Sequence, residues 1–389
     1  MNNKIKSLIF ILSSSIAFSG CDIIDDNDDN GTVTPSNVIG VVATVASDYS
    51  VGATSIISGD SNRTALNELQ PSDSDITINT YKNSIYIIGR AFGGNNIAKF
   101  DVNNHNQVIW QYTTQDSTTD PVASNPHQIV FVNESKAYVL RYGKTTAWIV
   151  NPSAATQEAF KTGELDLSAY SDSDGIPEMT MGVVADGKLF IAMQRLSGYT
   201  PDNTAYIAVF DTTTDTEIDT GFTGDNVKGI PLTIRNPNTS MQYLSANNSI
   251  YIQGIGSYGT EFTGGIERIN ISSYQTSLIL DDGTAATHPD EKISSMAIVS
   301  PTLGYYISYK AWGDTSLYKF DPSTGGDTIT SISSLASGDQ ADVAVDANGL
   351  VWVSDTTNST VRILDPTTDS LVDSISTILD PKKINFITQ

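Results

Sequence analysis

Arginine and aromatic residues are scarce in this chain, yet they recur together beside glycine. The stretches are 89–94 (GRAFGG), 141–144 (RYGK), 194–199 (QRLSGY), 254–259 (GIGSYG), 309–313 (YKAWG) and, more weakly, 354–356 (SDT). Arginine supplies fork-shaped hydrogen bonding, and Tyr and Trp supply large contact area at recognition surfaces. Neighbouring glycines let a flat or bulky ligand come close to the backbone. The candidate ligand contacts in these stretches are Arg90, Phe92, Arg141, Tyr142, Arg195, Tyr258, Trp312 and Asp355. Asn125, His127, Glu178 and Asp339 join them from a second set of turns. The alternative reading is structural, with each arginine packed over a ring and paired with an acid to hold its loop.

Catalytic signatures are sparse. The three histidines, His105, His127 and His288, are scattered without metal-ligand spacing, and no GxSxG, HExxH or cysteine nucleophile occurs. The run 172–178 (DSDGIPE) has the alternating Asp and Gly of a calcium-binding turn, which Glu178 could complete; an ordinary Ser/Asp/Gly/Pro turn is the simpler reading. No haem motif is present, and neither a cofactor nor a metal site is expected. A formal charge of −23 argues against nucleic acid and against an anionic membrane surface as partners. The single cysteine, Cys21, excludes an intramolecular disulfide.

The elements that must position these loops are repeated. The stretch 340–375 reads as four short apolar runs separated by Asn-Gly and Asp-Pro turns, which is the pattern of a four-stranded antiparallel meander. Its second run, with an aromatic near the start, recurs around Tyr86, Tyr138, Phe190, Tyr251, Tyr305 and Trp352. Its third run ends in Asp or Asn at Asp101, Asn151, Asp211, Asn270, Asp321 and Asp365. An Asx side chain there can bond the backbone two residues on and close the next hairpin. Copies at a period of roughly 45–60 residues predict a β-propeller. Six complete blades fall near 76–114, 127–167, 181–222, 233–283, 293–334 and 340–375. Three further runs (38–47, 52–58, 63–69) and an isolated C-terminal one (383–388) predict a seventh. The expected fold is therefore all-β, a seven-bladed propeller over 38–389 closed by one C-terminal plus three N-terminal strands. If the first strand of each blade lines the axis, the strand 2–3 loops and the between-blade loops open on one face.

The first 21 residues carry Lys4 and Lys6 before an apolar run of about eleven residues, an export signal too short to span a bilayer permanently. Phe18-Ser19-Gly20-Cys21 resembles a bacterial lipobox, which implies a lipidated Cys21 as the mature N-terminus. Residues 22–36 read as an acidic, disordered tether; Asp26, Asp28 and Asn30 start a calcium-loop pattern that no glutamate completes.

The phrasing of 351–375, of 125–129 (NPHQI) and of 210–215 (FDTTTD) resembles the YncE-like or YVTN-repeat propellers of bacteria. One lipoprotein branch of that superfamily, the BtuG-like proteins, captures cobalamin at the cell surface and passes it to an outer-membrane transporter. The chain is therefore expected to be a lipid-anchored, monomeric, non-enzymatic envelope protein, and the resemblance implies a small, corrinoid-like ligand with a transporter as partner. Two alternatives stand beside it. One is a scaffold for protein or envelope contacts. The other is a calcium-dependent lactonase-type hydrolase, with Glu178, Asn125 and Asp342 as oxygen ligands.

Overall fold

The repeated aromatic explains the blades. Tyr86, Tyr138, Phe190, Tyr251, Tyr305 and Trp352 are all buried, each on the second strand of its sheet. A lone four-stranded sheet cannot bury such side chains on both faces, so sheets must stack. The computed structural model describes residues 37–388 apart from 60–61, 260 and 285–291. The export signal, the tether, Cys21 and His288 lie outside the described residues.

Seven four-stranded antiparallel sheets form a closed ring. Their innermost strands are Asp380–Thr388, Ile76–Tyr81, Pro126–Asn133, Met179–Ala185, Pro237–Leu244, Lys292–Ser300 and Gln340–Val345, which head blades 1 to 7 in that order. Blade 1 mixes both chain ends. Its inner strand, Asp380–Thr388, pairs with Val38–Val45, which is followed by Gly52–Ile57 and Ala65–Ser72. The core divides into seven apolar clusters, one between each pair of adjacent blades. At the closure, Trp352 of blade 7 packs so tightly on blade 1 that a Cβ on Gly40 would meet its ring at 2.6 Å.

The Asx turns form in all six expected places. The side chains of Asp101, Asn151, Asp211, Asn270, Asp321 and Asp365 each accept the amide two residues on, at 2.8–3.0 Å. One boundary differs from the repeat pattern. The outer strand of blade 4 is only Ile230–Pro231, beyond the expected end at 222. The chain begins a hairpin at the Phe210–Glu217 bridge and then departs, returning at Ile230, thirteen residues later, to finish the sheet.

A second device joins the blades at the axis. Each inner strand has one edge without a strand partner, and its backbone groups need other partners. Polar side chains from the neighbouring inner strand supply them at every junction. Asn385 Nδ2 donates to the Ile78 carbonyl, and Asn79 Oδ1 accepts from Ile129 N. Gln128 Oε1 accepts from Gly182 N, and Thr180 Oγ1 donates to the Pro237 carbonyl. Ser240 Oγ accepts from Met296 N, Ser295 Oγ from Val343 N, and Asp342 Oδ2 from Ile384 N. Asp342, fully buried, also accepts from Ser295 Oγ and Lys383 Nζ, each at 3.0 Å.

Replacing Asn79 with Ala orphans the Ile129 amide and is expected to cost about 1–3 kcal/mol. Asp342→Ala is expected to cost more, because it strands an amide, a hydroxyl and an ammonium together. Urea unfolding of both variants checks this; wild-type midpoints would contradict the stitched ring.

Candidate functional site

A cavity of about 1040 Å³ runs along the axis between the seven inner strands. The strand 2–3 loops and the between-blade turns surround one mouth of it. Blade 1 contributes the turn between Val38–Val45 and Gly52–Ile57, because the C-terminal strand is its first. That turn carries Tyr49.

An aromatic residue stands in the 2–3 loop of six blades: Tyr49, Phe92, Tyr142, Tyr199, Tyr258 and Trp312. Tyr142 is partly buried. The other five are the exposed aromatic residues of the described chain: Tyr49 is 48% exposed, Phe92 87%, Tyr199 96%, Tyr258 60% and Trp312 80%. Other exposed large apolar side chains, such as Leu66, Val108, Ile109 and Leu371, are aliphatic. A ring of aromatic residues thus crowns one face. Blade 7 lacks an aromatic in its short loop, and over it Tyr49 of blade 1 meets Trp312 of blade 6, with ring centroids 6.4 Å apart.

Three arginines were candidates, and the structure separates them. Arg141 is buried in the protein. Its guanidinium lies 4.6 Å over the Trp148 ring and bonds Thr146 O, Thr146 Oγ1, Thr114 O and Asp116. Arg195 is buried as well, over Tyr206 and bonded to Tyr170 O, Thr204 O and Asp225. Both clamp their loops to the blade edge, so neither guanidinium is available to a ligand in this arrangement. Arg141 and Arg195 thus take the structural alternative, each packed over a ring and paired with an acid. Arg90 differs. Its Nε bonds Asp75 Oδ1 at 2.9 Å, while its Nη atoms have no hydrogen-bond partner among the described residues, and it lines the cavity. Asp75 Oδ2 also accepts from Phe92 N at 3.0 Å, so one carboxylate sets both Arg90 and the exposed Phe92.

His127 lines the cavity beside Arg90 and stacks on Tyr142 with centroids 4.5 Å apart. Burial, helped by the Arg90 charge, pushes its pKa down to about 3, so the imidazole is neutral at the mouth. Burial likewise raises the Tyr142 phenol. Asn125 serves the scaffold. With φ +46°, its side chain accepts from Ala91 N, its carbonyl from Tyr142 N, and its amide donates to Asn95 Oδ1. It thereby joins the 2–3 loops of blades 2 and 3.

The remaining acids are occupied within the protein. Asp355 is buried and accepts from Asn358 N and Nδ2. Asp339 Oδ2 accepts from Thr356 Oγ1 at 2.6 Å and pins the blade 7 loop. Asp355 is corrected from ligand contact to loop brace, because its carboxylate has no surface to offer. Glu178 is buried, sits at φ +51° and accepts from Leu196 N at 3.0 Å. Burial pushes its carboxyl up to about 8 against the pull of that amide, and the charges of Asp174 and Asp172 add to the rise. Glu178, Asn125 and Asp342 are engaged in separate bonds, and among the described residues no three His, Cys, Asp or Glu side chains are placed to share a metal ion.

Sequence reasoning missed Tyr49 and left Tyr199 out of the contacts. Tyr49 follows once the C-terminal strand is counted as the first of blade 1, since that shifts every loop of the blade by one place.

No protein-family model matches the chain, and no curated protein matches it in sequence. Solved structures match it in shape. Apo AztD from Citrobacter koseri superposes with a TM-score of 0.52 at 14% identity, covering 91% of this chain and 99% of AztD. Hydrazine synthase from Kuenenia stuttgartiensis gives 0.54 at 12% identity, covering 76% and 84%. The Dos1 propeller gives 0.51 at 10% identity, covering 77% and 72%. At these identities the likeness extends to the propeller fold alone.

Glu178 makes a pH test of this face. Its folded pKa lies above the ordinary 4.5, so the folded chain holds an extra proton between about 4.5 and 8. Its contribution to stability is complete below that window and is lost as pH rises through 8. Glu178→Gln keeps the acceptor for Leu196 N and removes the titration. The variant's melting temperature relative to wild type is expected to climb from pH 5 to pH 9. A difference that stays constant with pH would contradict the burial of a protonated carboxyl.

Proposed function

We propose that this chain is a non-enzymatic binding module of the bacterial cell envelope, anchored by a lipid on Cys21, with its ligand seated across the crowned mouth of the channel. The observation that carries the reading is the crown itself. Five exposed aromatic side chains collect on the one face where the loops also place Arg90 and His127. Exposed Trp, Tyr and Phe cost solvation and add nothing to the core, whereas such residues dominate recognition energy when covered. Separate rings around an opening suit a broad ligand that touches several blades at once. The YncE-like resemblance names a corrinoid as the first such ligand to try and an outer-membrane transporter as the receiving partner. A scaffold reading rests on the same crown, since a protein partner also covers aromatics well.

Titration calorimetry of the full chain with cobalamin tests the capture reading. Saturable heat is expected, with Trp312→Ala weakening it tenfold or more. No heat from the folded protein would overturn the corrinoid assignment, and cross-linking to an envelope protein at position 312 would then support the scaffold. For the anchor, Cys21→Ser is expected to release the protein from the membrane pellet; retention there would contradict lipidation.

A further inference from the structure

The cavity beneath the crown carries a charge pattern of its own. Among the described residues, the charged ones that line it are Lys82, Arg90, Lys382 and Lys383, with no carboxylate side chain. Composition does not supply this, because Asp and Glu outnumber Lys and Arg 44 to 21. The counter-charges lie on residues outside the cavity lining, Asp342 fully buried and Glu134 exposed to solvent. Asp75 holds Arg90, Glu134 holds Lys82 at 3.0 Å, Asp342 holds Lys383, and Asp380 lies 3.9 Å from Lys382. None of these four acids is among the lining residues of the cavity.

Two of the four cations are already committed. Lys383 reaches from blade 1 across to the Thr239 carbonyl of blade 5 and to Asp342 of blade 7. Thr239 keeps φ +69° there, an unfavourable conformation for a β-branched residue, in the irregular start of its strand. Lys383 is thus a strut. Lys82 sits in the turn that ends the inner strand of blade 2, at the mouth opposite the crown. The other two border the crowned mouth with donors to spare. Arg90 has unpartnered Nη atoms, and Lys382 Nζ makes no hydrogen bond among the described residues beyond its long contact with Asp380 and a position over the Tyr49 ring. Neutral His127 and Gln128 complete the polar wall on that side without adding negative charge.

We propose that the crowned end of the channel binds a small anion, a carboxylate or phosphate group held by Arg90 and Lys382. The guanidinium fork matches either group, and apolar walls of Ile76 and Met181 strengthen the attraction by keeping water thin. This goes beyond the capture reading, with which it shares Arg90 and the crowned face, because it rests on the charge of the cavity wall and assigns no contact to the exposed rings.

Titration calorimetry of the full chain with inorganic phosphate, malate and citrate at fixed ionic strength tests it. Saturable binding of at least one is expected. Arg90→Gln and Lys382→Gln should each weaken it tenfold or more, while Lys82→Gln at the far mouth and Trp312→Ala on the crown should leave it unchanged. Unaltered melting temperatures in the variants tie any loss to the site. No saturable heat with any of the three anions, or wild-type affinity in the Arg90→Gln, Lys382→Gln double variant, would overturn the proposal. Loss of cobalamin binding in Trp312→Ala with anion binding kept would show the two sites to be separate; anion binding without any cobalamin binding would sustain this proposal and overturn the other.

Discussion

The unpaired inner edge of each blade is the constraint on which the rest of this propeller depends. A closed ring abolishes the two outer ends of a sheet array, yet it leaves seven strand edges around the axis. Water in the channel could satisfy their backbone groups, but the walls would then be free to shift. This chain uses Asn, Gln, Thr, Ser and Asp side chains instead, each reaching the backbone of an adjacent inner strand. The bonds complement the apolar clusters farther out, which hold blade faces together without direction. Clusters give cohesion; the inner bonds give registration between blades.

That arrangement decides which polar groups remain for a ligand. Asn79, Gln128, Ser240, Ser295 and Asp342 line or back the channel, and each gives at least one acceptor atom to a neighbouring strand. Arg141 and Arg195 are likewise spent on their own loops, over Trp148 and Tyr206. What is left at the crowned mouth is Arg90, Lys382, neutral His127 and a circle of aromatic rings. A ligand there meets hydrogen-bond donors at the centre and apolar surface around them. The same Asp75 that orients Arg90 also fixes the Phe92 loop, so the polar and apolar parts of the face share one support.

The fold was legible because its signals are local and repeated. A buried aromatic and an Asx turn recur in six blades, and both work within a few residues of where they stand in the chain. The velcro blade was legible from a strand count. The site was legible only by face. Loop position told that Arg90, Phe92, Tyr258 and Trp312 share a mouth, but the fate of each arginine depends on partners distant in sequence. Arg141 is consumed by Asp116 and Thr114, 25 and 27 residues back, and Arg195 by Asp225, 30 residues ahead. Nothing near either arginine distinguishes it from Arg90. The inner bonds escaped for the same reason, since Asn79 and Ile129 lie 50 residues apart and Asp342 and Ile384 lie 42.

The central claim is that side chains lock the inner strands to one another and so hold the binding face in shape. Hydrogen exchange of the amides of Ile129, Gly182, Met296, Val343 and Ile384 tests it most directly, because each donates to a side chain of an adjacent blade. The account predicts that all five exchange slowly and together, at the rate of global unfolding, while amides of the crown loops exchange faster. Rapid, independent exchange at those five positions in an otherwise folded protein would contradict it.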